Sequence, residues 1–247
     1  AIMVLDAAAG IEAQTLKLFE VCRLRSVPII TFINKIDREG REPFELLDEI
    51  AEKLALDTAP MSWPVGMGGL FEGVYDFEEN ELYLPEGDGK EFKGKTVKVD
   101  GPEDEKLAEH LSADGVARVA EEGLLAREGY APFDFEAYRN GDLTPVYFGS
   151  ALRNNGVRDL IHALSDFAPA PRAQVADVRT VEATDPKMSA FVFKIQANMD
   201  PNHRDRIAFV RVCSGKLQRG MKAKLVRTGK PISLSAPQFF FAKSRIT

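Results

Sequence analysis

Apolar runs and amphipathic stretches alternate along the first third of the chain. Residues 1–7, AIMVLDA, are apolar almost throughout and read as a strand. Residues 11–25 read as a helix, with Leu18 and Cys22 on one stripe and Leu16 and Phe19 beside them. Pro28 then opens a second run, Ile29, Ile30, Phe32 and Ile33, with no polar alternation. Such a run predicts a strand of a parallel sheet, buried on both faces. Strand, helix and strand in this order form a βαβ unit, which implies parallel pairing and a right-handed crossover. A second helix is predicted over 42–55, where Phe44, Leu47, Ala51 and Leu54 share a face with Ile50 alongside. APMSWPV at 59–65 reads as a short strand interrupted at Pro64.

The pattern changes after Gly66. The next stretch is glycine-rich and acidic, and its alternation predicts a hairpin with strands near Val74–Phe77 and Glu81–Leu84. EFKGKTVKVDG suggests a further small strand, and 103–129 reads as polar helices with Leu107 and Leu111 turned inward. Residues 66–130 therefore read as an insertion into a sheet domain. A strand returns at 144–149. The helix after it carries Val157, Leu160, Ile161, Leu164 and Phe167 at helical spacing. APAPR at 168–172 is a stiff exit, and beyond it the texture is all-β: SAFVFKIQA, RIAFVRVCSG and KAKLVRTGK. The expected architecture is α/β: a partial parallel sheet with an inserted α+β segment over 1–175, then an incomplete antiparallel β-barrel over 176–247. NHRDR at 202–206 reads as a solvated loop in preference to a contact patch.

Composition narrows this picture without redirecting it. The 247 residues are 45% hydrophobic and 28% charged, ordinary for a globular protein, and the formal charge of −6 supplies no global basic field. Neither DNA nor a membrane is an expected partner: no apolar run reaches 18 residues. Two cysteines, Cys22 and Cys213, argue against a disulfide framework and for a reducing cytoplasm. His110, His162 and His203 have no metal-ligand spacing. The chain opens inside an apolar strand without an initiator Met, so an internal piece of a longer protein is the expectation.

Candidate chemistry sits where the second strand ends. Asn34, Lys35 and Asp37 follow Ile33 at the carboxyl end of that strand, the edge at which open α/β sheets bind ligands. The two oxygens of Asp37 can accept both the N1–H and the 2-amino group of guanine. Adenine would leave that carboxylate facing a lone pair, and unpaired buried polar groups make rejection strong. The stem of Lys35 can cover the base face while its ammonium stays wet. The amide of Asn34 can tie neighbouring loops together. Gly149, Ser150, Ala151 and Leu152 form a small-residue turn at the carboxyl end of the strand read at 144–149, where backbone N–H groups can approach the guanine O6. GMGG at 66–69 is too weak a pattern for a phosphate loop.

LDAAAGIEAQT, PIITFINKIDR and FGSAL together resemble the guanine-nucleotide domain of translational GTPases, and the resemblance covers essentially the whole chain. Within that family, RLRSVPIITFINKIDRE, MSWPVGMGGLFEGVY and FVFKIQANMDPNHRDRIAFVRVCSGK are most similar to members acting in peptide-chain termination. The resemblance implies that the partial parallel sheet is of P-loop GTPase type, and it implies GTP and GDP as ligands, with Asn34, Lys35 and Asp37 reading guanine and Ser150 and Ala151 supporting the base. Leu152 completes that turn where many GTPases have lysine, so no base-covering role follows for it. It implies Mg2+ in the full-length protein and, as partners, the ribosome (its RNA and proteins) and the stop-codon-reading release factors. It also places the phosphate loop, the magnesium-binding Ser/Thr, both switch segments and the catalytic histidine upstream of Ala1. No phosphate-loop motif and no catalytic residue are therefore expected here, and these residues alone are expected to be inactive. Three alternatives remain: an elongation factor G-like GTPase, another α/β enzyme in which NKID is accidental, and a non-enzymatic RNA- or ribosome-binding module.

Overall fold

The computed structural model describes residues 1–85, 94–197, 206–235, 237, 239–241 and 244–246. They divide into two compact units, Ala1–Pro169 and Ala170–Thr247.

The first unit is built on a parallel sheet. Strand β1 (Ile2–Asp6) leads through helix α1 (Ala13–Leu24) to β2 (Ile30–Asn34), and the two strands pair in parallel, Ile2 beside Ile30 and Asp6 beside Asn34. Helix α2 (Pro43–Leu54) follows, then β3 (Asp57–Pro60). The strand over 143–148 lies between β2 and β3, so β2 is interior. Its side chains alternate between two cores: Ile33 packs with Leu5, Phe19 and Leu47 on one face, Ile30 and Phe32 with Tyr138, Tyr147 and Leu160 on the other. Burying each of these large side chains contributes about 2 kcal/mol. That double burial is why the run shows no polar alternation. Between the strands, Thr31 and Thr144 satisfy each other's hydroxyls at 2.9 Å, and Thr144 also donates to the Ile29 carbonyl at 2.8 Å.

The chain leaves the parallel sheet at Met61. Its N–H donates to the Val146 carbonyl, while its own carbonyl accepts from Phe77. One residue thus closes β3 and opens β4 (Ser62–Val65) of a second, antiparallel sheet. The interruption expected at Pro64 falls three residues earlier. Pro64 is tolerated within β4 because β4 is an edge strand and needs no ladder donor on its outer side. The sheet continues with β5 (Gly73–Asp76), β6 (Glu81–Pro85) and β7 (Gly94–Lys98). Helix α3 (Ala113–Gly129) packs against β4, with Glu122 accepting from the Trp63 indole N–H at 3.2 Å. Its Ser112 cap accepts from Gly115 N–H, and Leu107 and Leu111, in the segment before it, are buried.

Helix α4 (Phe135–Asn140), β8 (Leu143–Phe148, every residue buried) and α5 (Val157–Phe167) complete the unit. Two helical stripes differ from expectation. In α1 the inward residues are Phe19 and Cys22, while Leu16 and Leu18 are exposed; in α5 they are Leu160 and Ala163, with Ile161 exposed. The apolar face of each helix is wider than the strip the sheet can cover, so spacing alone does not choose among its residues.

The second unit is all-β: two short strands β9 (Gln174–Val175) and β10 (Thr180–Val181), the long hairpin β11 (Ser189–Ala197) with β12 (Arg206–Ser214), and the pairs β13 (Met221–Lys224) with β14 (Pro231–Leu234) and β15 (Phe239–Phe241) with β16 (Ser244–Ile246). All four pairs are antiparallel. The segment KAKLVRTGK forms a strand only as far as Lys224, after which the chain turns at 225–230. NHRD at 202–205 lies outside the described residues.

Candidate guanine-binding site

Parallel pairing brings the carboxyl ends of β1, β2 and β8 to one edge of the sheet, and with them Asp6, Asn34 and the turn after Phe148. The loop after β2 is fixed by Ile36, which is fully buried. Its N–H donates to the Gly149 carbonyl at 3.3 Å, and its own carbonyl accepts from Gly68 N–H at 2.9 Å. With Ile36 pinned inward, its neighbours Lys35 and Asp37 are held at the rim. Lys35 sits in the left-handed region at φ 70°, which turns the chain sharply off the strand. GMGG thus serves the site as a backing turn. Gly68 is also left-handed at φ 58°, and a Cβ there would stand 2.4 Å from the Glu39 carboxylate.

Asn34 joins two loops through one oxygen. Its Oδ1 accepts from Lys35 N–H and from Ala151 N–H, both at 2.9 Å. Lys35 Nζ donates to Asp6 Oδ2 at 2.5 Å, while Asp6 Oδ1 accepts from Ala8 N–H. The Lys35 ammonium, helped by that N–H, holds the Asp6 carboxyl below its usual range. Asp37 has a side chain only 7% exposed, and its Oδ2 accepts from Arg153 Nε at 3.2 Å. Ser150 is buried and pairs through its backbone with Asn155, both bonds at 3.0 Å. Gly149 makes room for this: a Cβ would meet the Asn155 carbonyl at 2.4 Å and the Phe32 ring at 2.6 Å. Among the described residues, Ser150 Oγ and the Asn155 carboxamide are buried without a hydrogen-bond partner.

The structure therefore brings Asn34, Lys35, Asp37, Ser150 and Ala151 to one edge. Leu152 lies in the same turn but is 74% exposed. The Ala151 N–H, expected to face a base oxygen, is engaged by Asn34. Asp6, Ile36, Gly68 and Arg153 were not singled out in the sequence. Asp6 had a usable signal, because parallel pairing of the first two strands puts it beside Asn34. Arg153 had none.

The arrangement can recognise a flat base with paired donors, since Asp37 presents a nearly dry carboxylate. No group of three His, Cys, Asp or Glu that could hold a metal ion occurs among the described residues. The expectation that no phosphate-loop motif occurs is corrected in one respect: GKEFKGKT at 89–96 satisfies G-x-x-x-x-G-K-[ST]. Gly94, Lys95 and Thr96 belong to β7, however, where Lys95 pairs with Leu84 and Thr96 with Tyr83. A phosphate loop joins a strand to a helix N-terminus and turns its N–H groups to the ligand. Residues committed to a ladder do not form that cradle.

Residues 1–170 match the family model of the elongation factor Tu GTP binding domain, and residues 187–247 that of elongation factor G domain 2. Peptide chain release factor 3 of Symbiobacterium thermophilum is 47% identical over 245 residues, which is 99% of this chain and 46% of that protein. The chain thus spans about half the length of this relative.

Proposed function

The chain belongs to the translational GTPase family, and on that premise we propose that it carries the guanine-reading part of a peptide-chain termination factor of the release factor 3 type. The observation behind the reading is the dry Asp37 carboxylate at the sheet edge, beside a loop pair braced by Asn34. Asp37 accepts guanine N1–H and the 2-amino group, the stem of Lys35 lies along one face of the base, and Ser150 and Ala151 support it from the opposite side. In the whole protein, GTP binding and hydrolysis accompany recycling of stop-codon-reading release factors from the ribosome, in the cytoplasm. Mg2+ bound with the phosphates would offset their charge there. The guanine-nucleotide domain occupies 1–175 with its insertion at 66–130, and the translation-factor barrel 176–247.

The ribosome as partner has support in charge. Residues 180–247 hold 13 Lys and Arg against 4 Asp and Glu, although the chain as a whole is at −6. That local surplus suits a surface that follows RNA phosphates. The elongation factor G-like reading shares the same fold and base site; the identity to a release factor 3 favours termination.

The test is Asp37→Asn in the full-length protein. Xanthine carries an oxygen at C2 where guanine has an amino group, so the amide should lose GDP and gain XDP. Retained preference for GDP over XDP would remove Asp37 from base recognition.

A further inference from the structure

The ion pair between Arg153 and Asp37 has no part in reading a base, yet it occupies the group that does. Arg153 Nε donates to Asp37 Oδ2 at 3.2 Å; the Asp37 side chain is 7% exposed and that of Arg153 48%. A carboxylate this dehydrated needs a charge-assisted partner when no base is present. The turn 151–153 supplies one, because it is tied to the Asp37 loop through Ala151 N–H on Asn34 and Ile36 N–H on Gly149. The two partners are unequal. Arg153 can return its guanidinium to water with little loss, whereas Asp37 has almost no water to turn to.

We propose that Arg153 is a latch on the guanine site: it holds Asp37 Oδ2 while the site is empty and gives that oxygen up when guanine docks. The proposal rests on the reading of Asp37 as the guanine carboxylate. Guanine brings two donors side by side and uses both oxygens, so its second donor competes with Arg153 for Oδ2. Hypoxanthine has the N1–H but no 2-amino group. It needs one oxygen and leaves Oδ2 to Arg153. The latch therefore lowers guanine affinity by the fraction of time it is closed, and it narrows the gap between guanine and hypoxanthine. It also competes for Asp37 as a nucleotide leaves, which favours exchange. Arg153 is thus a specificity-tuning residue of the base site.

The experiment measures GDP, IDP and XDP affinities by competition with a fluorescent nucleotide, in the full-length protein. The proteins compared are wild type, Arg153→Met, Asp37→Asn and the double variant. Arg153→Gln is read in parallel, so that a folding defect of one substitution does not decide the result. Removing the latch should tighten GDP about fivefold, the equilibrium factor of a half-exposed ion pair, and IDP by less than about twofold. In the Asp37→Asn background the same substitutions should change nothing. Unchanged or weakened GDP binding in both Arg153 variants overturns the latch. So does an equal gain for GDP and IDP, or a gain that survives Asp37→Asn. Failure of Asp37→Asn to shift preference from GDP to XDP overturns the underlying base assignment instead, an outcome no Arg153 variant produces.

Discussion

Asn34→Ala separates the brace between the two loops from the base contacts around it. The carboxamide oxygen accepts two backbone N–H groups at 2.9 Å, one from Lys35 and one from Ala151, 117 positions away along the chain. Each such bond contributes about 0.5–1.5 kcal/mol net, and both lie where water can replace the lost acceptor, so the pair is worth about 1–2 kcal/mol. In a unit the size of residues 1–169 this corresponds to a melting temperature lower by about 3–6 °C. The local effect is more diagnostic than the global one. With Asn34 gone, the Ala151 N–H keeps no partner from the β2 loop, and its amide exchange should accelerate about five- to tenfold under native conditions. Asn34→Asp keeps an acceptor at the same place and should retain most of that protection. The assay is amide hydrogen exchange followed by NMR, with urea unfolding of the same samples. If the Ala151 amide in Asn34→Ala is as protected as in the wild type, the two loops are not held together through Asn34. The account of the site as one braced edge would then be wrong.

Acid should loosen the turn between β1 and α1 through Glu49, which accepts from Ile11 N–H there. Its side chain, 10% exposed, accepts from Ile11 N–H, Arg41 Nη1 and Lys53 Nζ; burial pushes its carboxyl up, but these donors outweigh it and leave it below the usual range. A depressed carboxylate stabilises above its unfolded value of about 4.3 and loses that contribution as pH falls through the folded value. Glu49→Gln should therefore cost about 2 kcal/mol at pH 7, with the gap to wild type closing below about pH 4, as read by urea midpoints. A gap independent of pH would show that the charge of Glu49 is not what holds the turn. The 247 residues purified by themselves should bind guanine nucleotides weakly and release no phosphate from GTP. The one string matching a phosphate loop lies partly in β7, and D-x-P-G does not occur in the sequence. Magnesium-dependent phosphate release above background would refute this.

The parallel core was legible because its signal is strong and local. Ile29–Ile33 has no polar alternation, which only an interior strand requires, and β2 is interior. The position of NKID at the carboxyl edge followed from that alone. The helical faces were less legible. Leu18 and Cys22 share a stripe by spacing, yet Phe19 takes the core position and Leu18 stays outside, since the match of a helix to its sheet depends on its rotation. Pro64 misled for a related reason. Proline marks a break only where its missing N–H would be needed, and at an edge strand it is not.

Contacts between distant loops were not legible at all, and they set the character of the site. Ala151 and Asn34 are far apart in sequence, as are Arg153 and Asp37, and Gly68 reaches Ile36 across the junction of two sheets. No periodicity records such pairs, because each depends on how three strand ends happen to be spaced. GMGG is too weak a pattern for a phosphate loop, and nothing in its letters shows the use it has in the fold, where the Gly68 N–H supports the carbonyl of Ile36, one residue from Asp37. The motif GKEFKGKT is the converse case, a string with the right letters whose last residues are committed to a β-ladder. A phosphate-loop motif carries its chemistry only when the backbone around it leaves the N–H groups free. NKID is under no such condition: the N–H groups of Lys35 and Ile36 are engaged by Asn34 Oδ1 and the Gly149 carbonyl, and what the segment offers at the sheet edge is the Asp37 carboxylate.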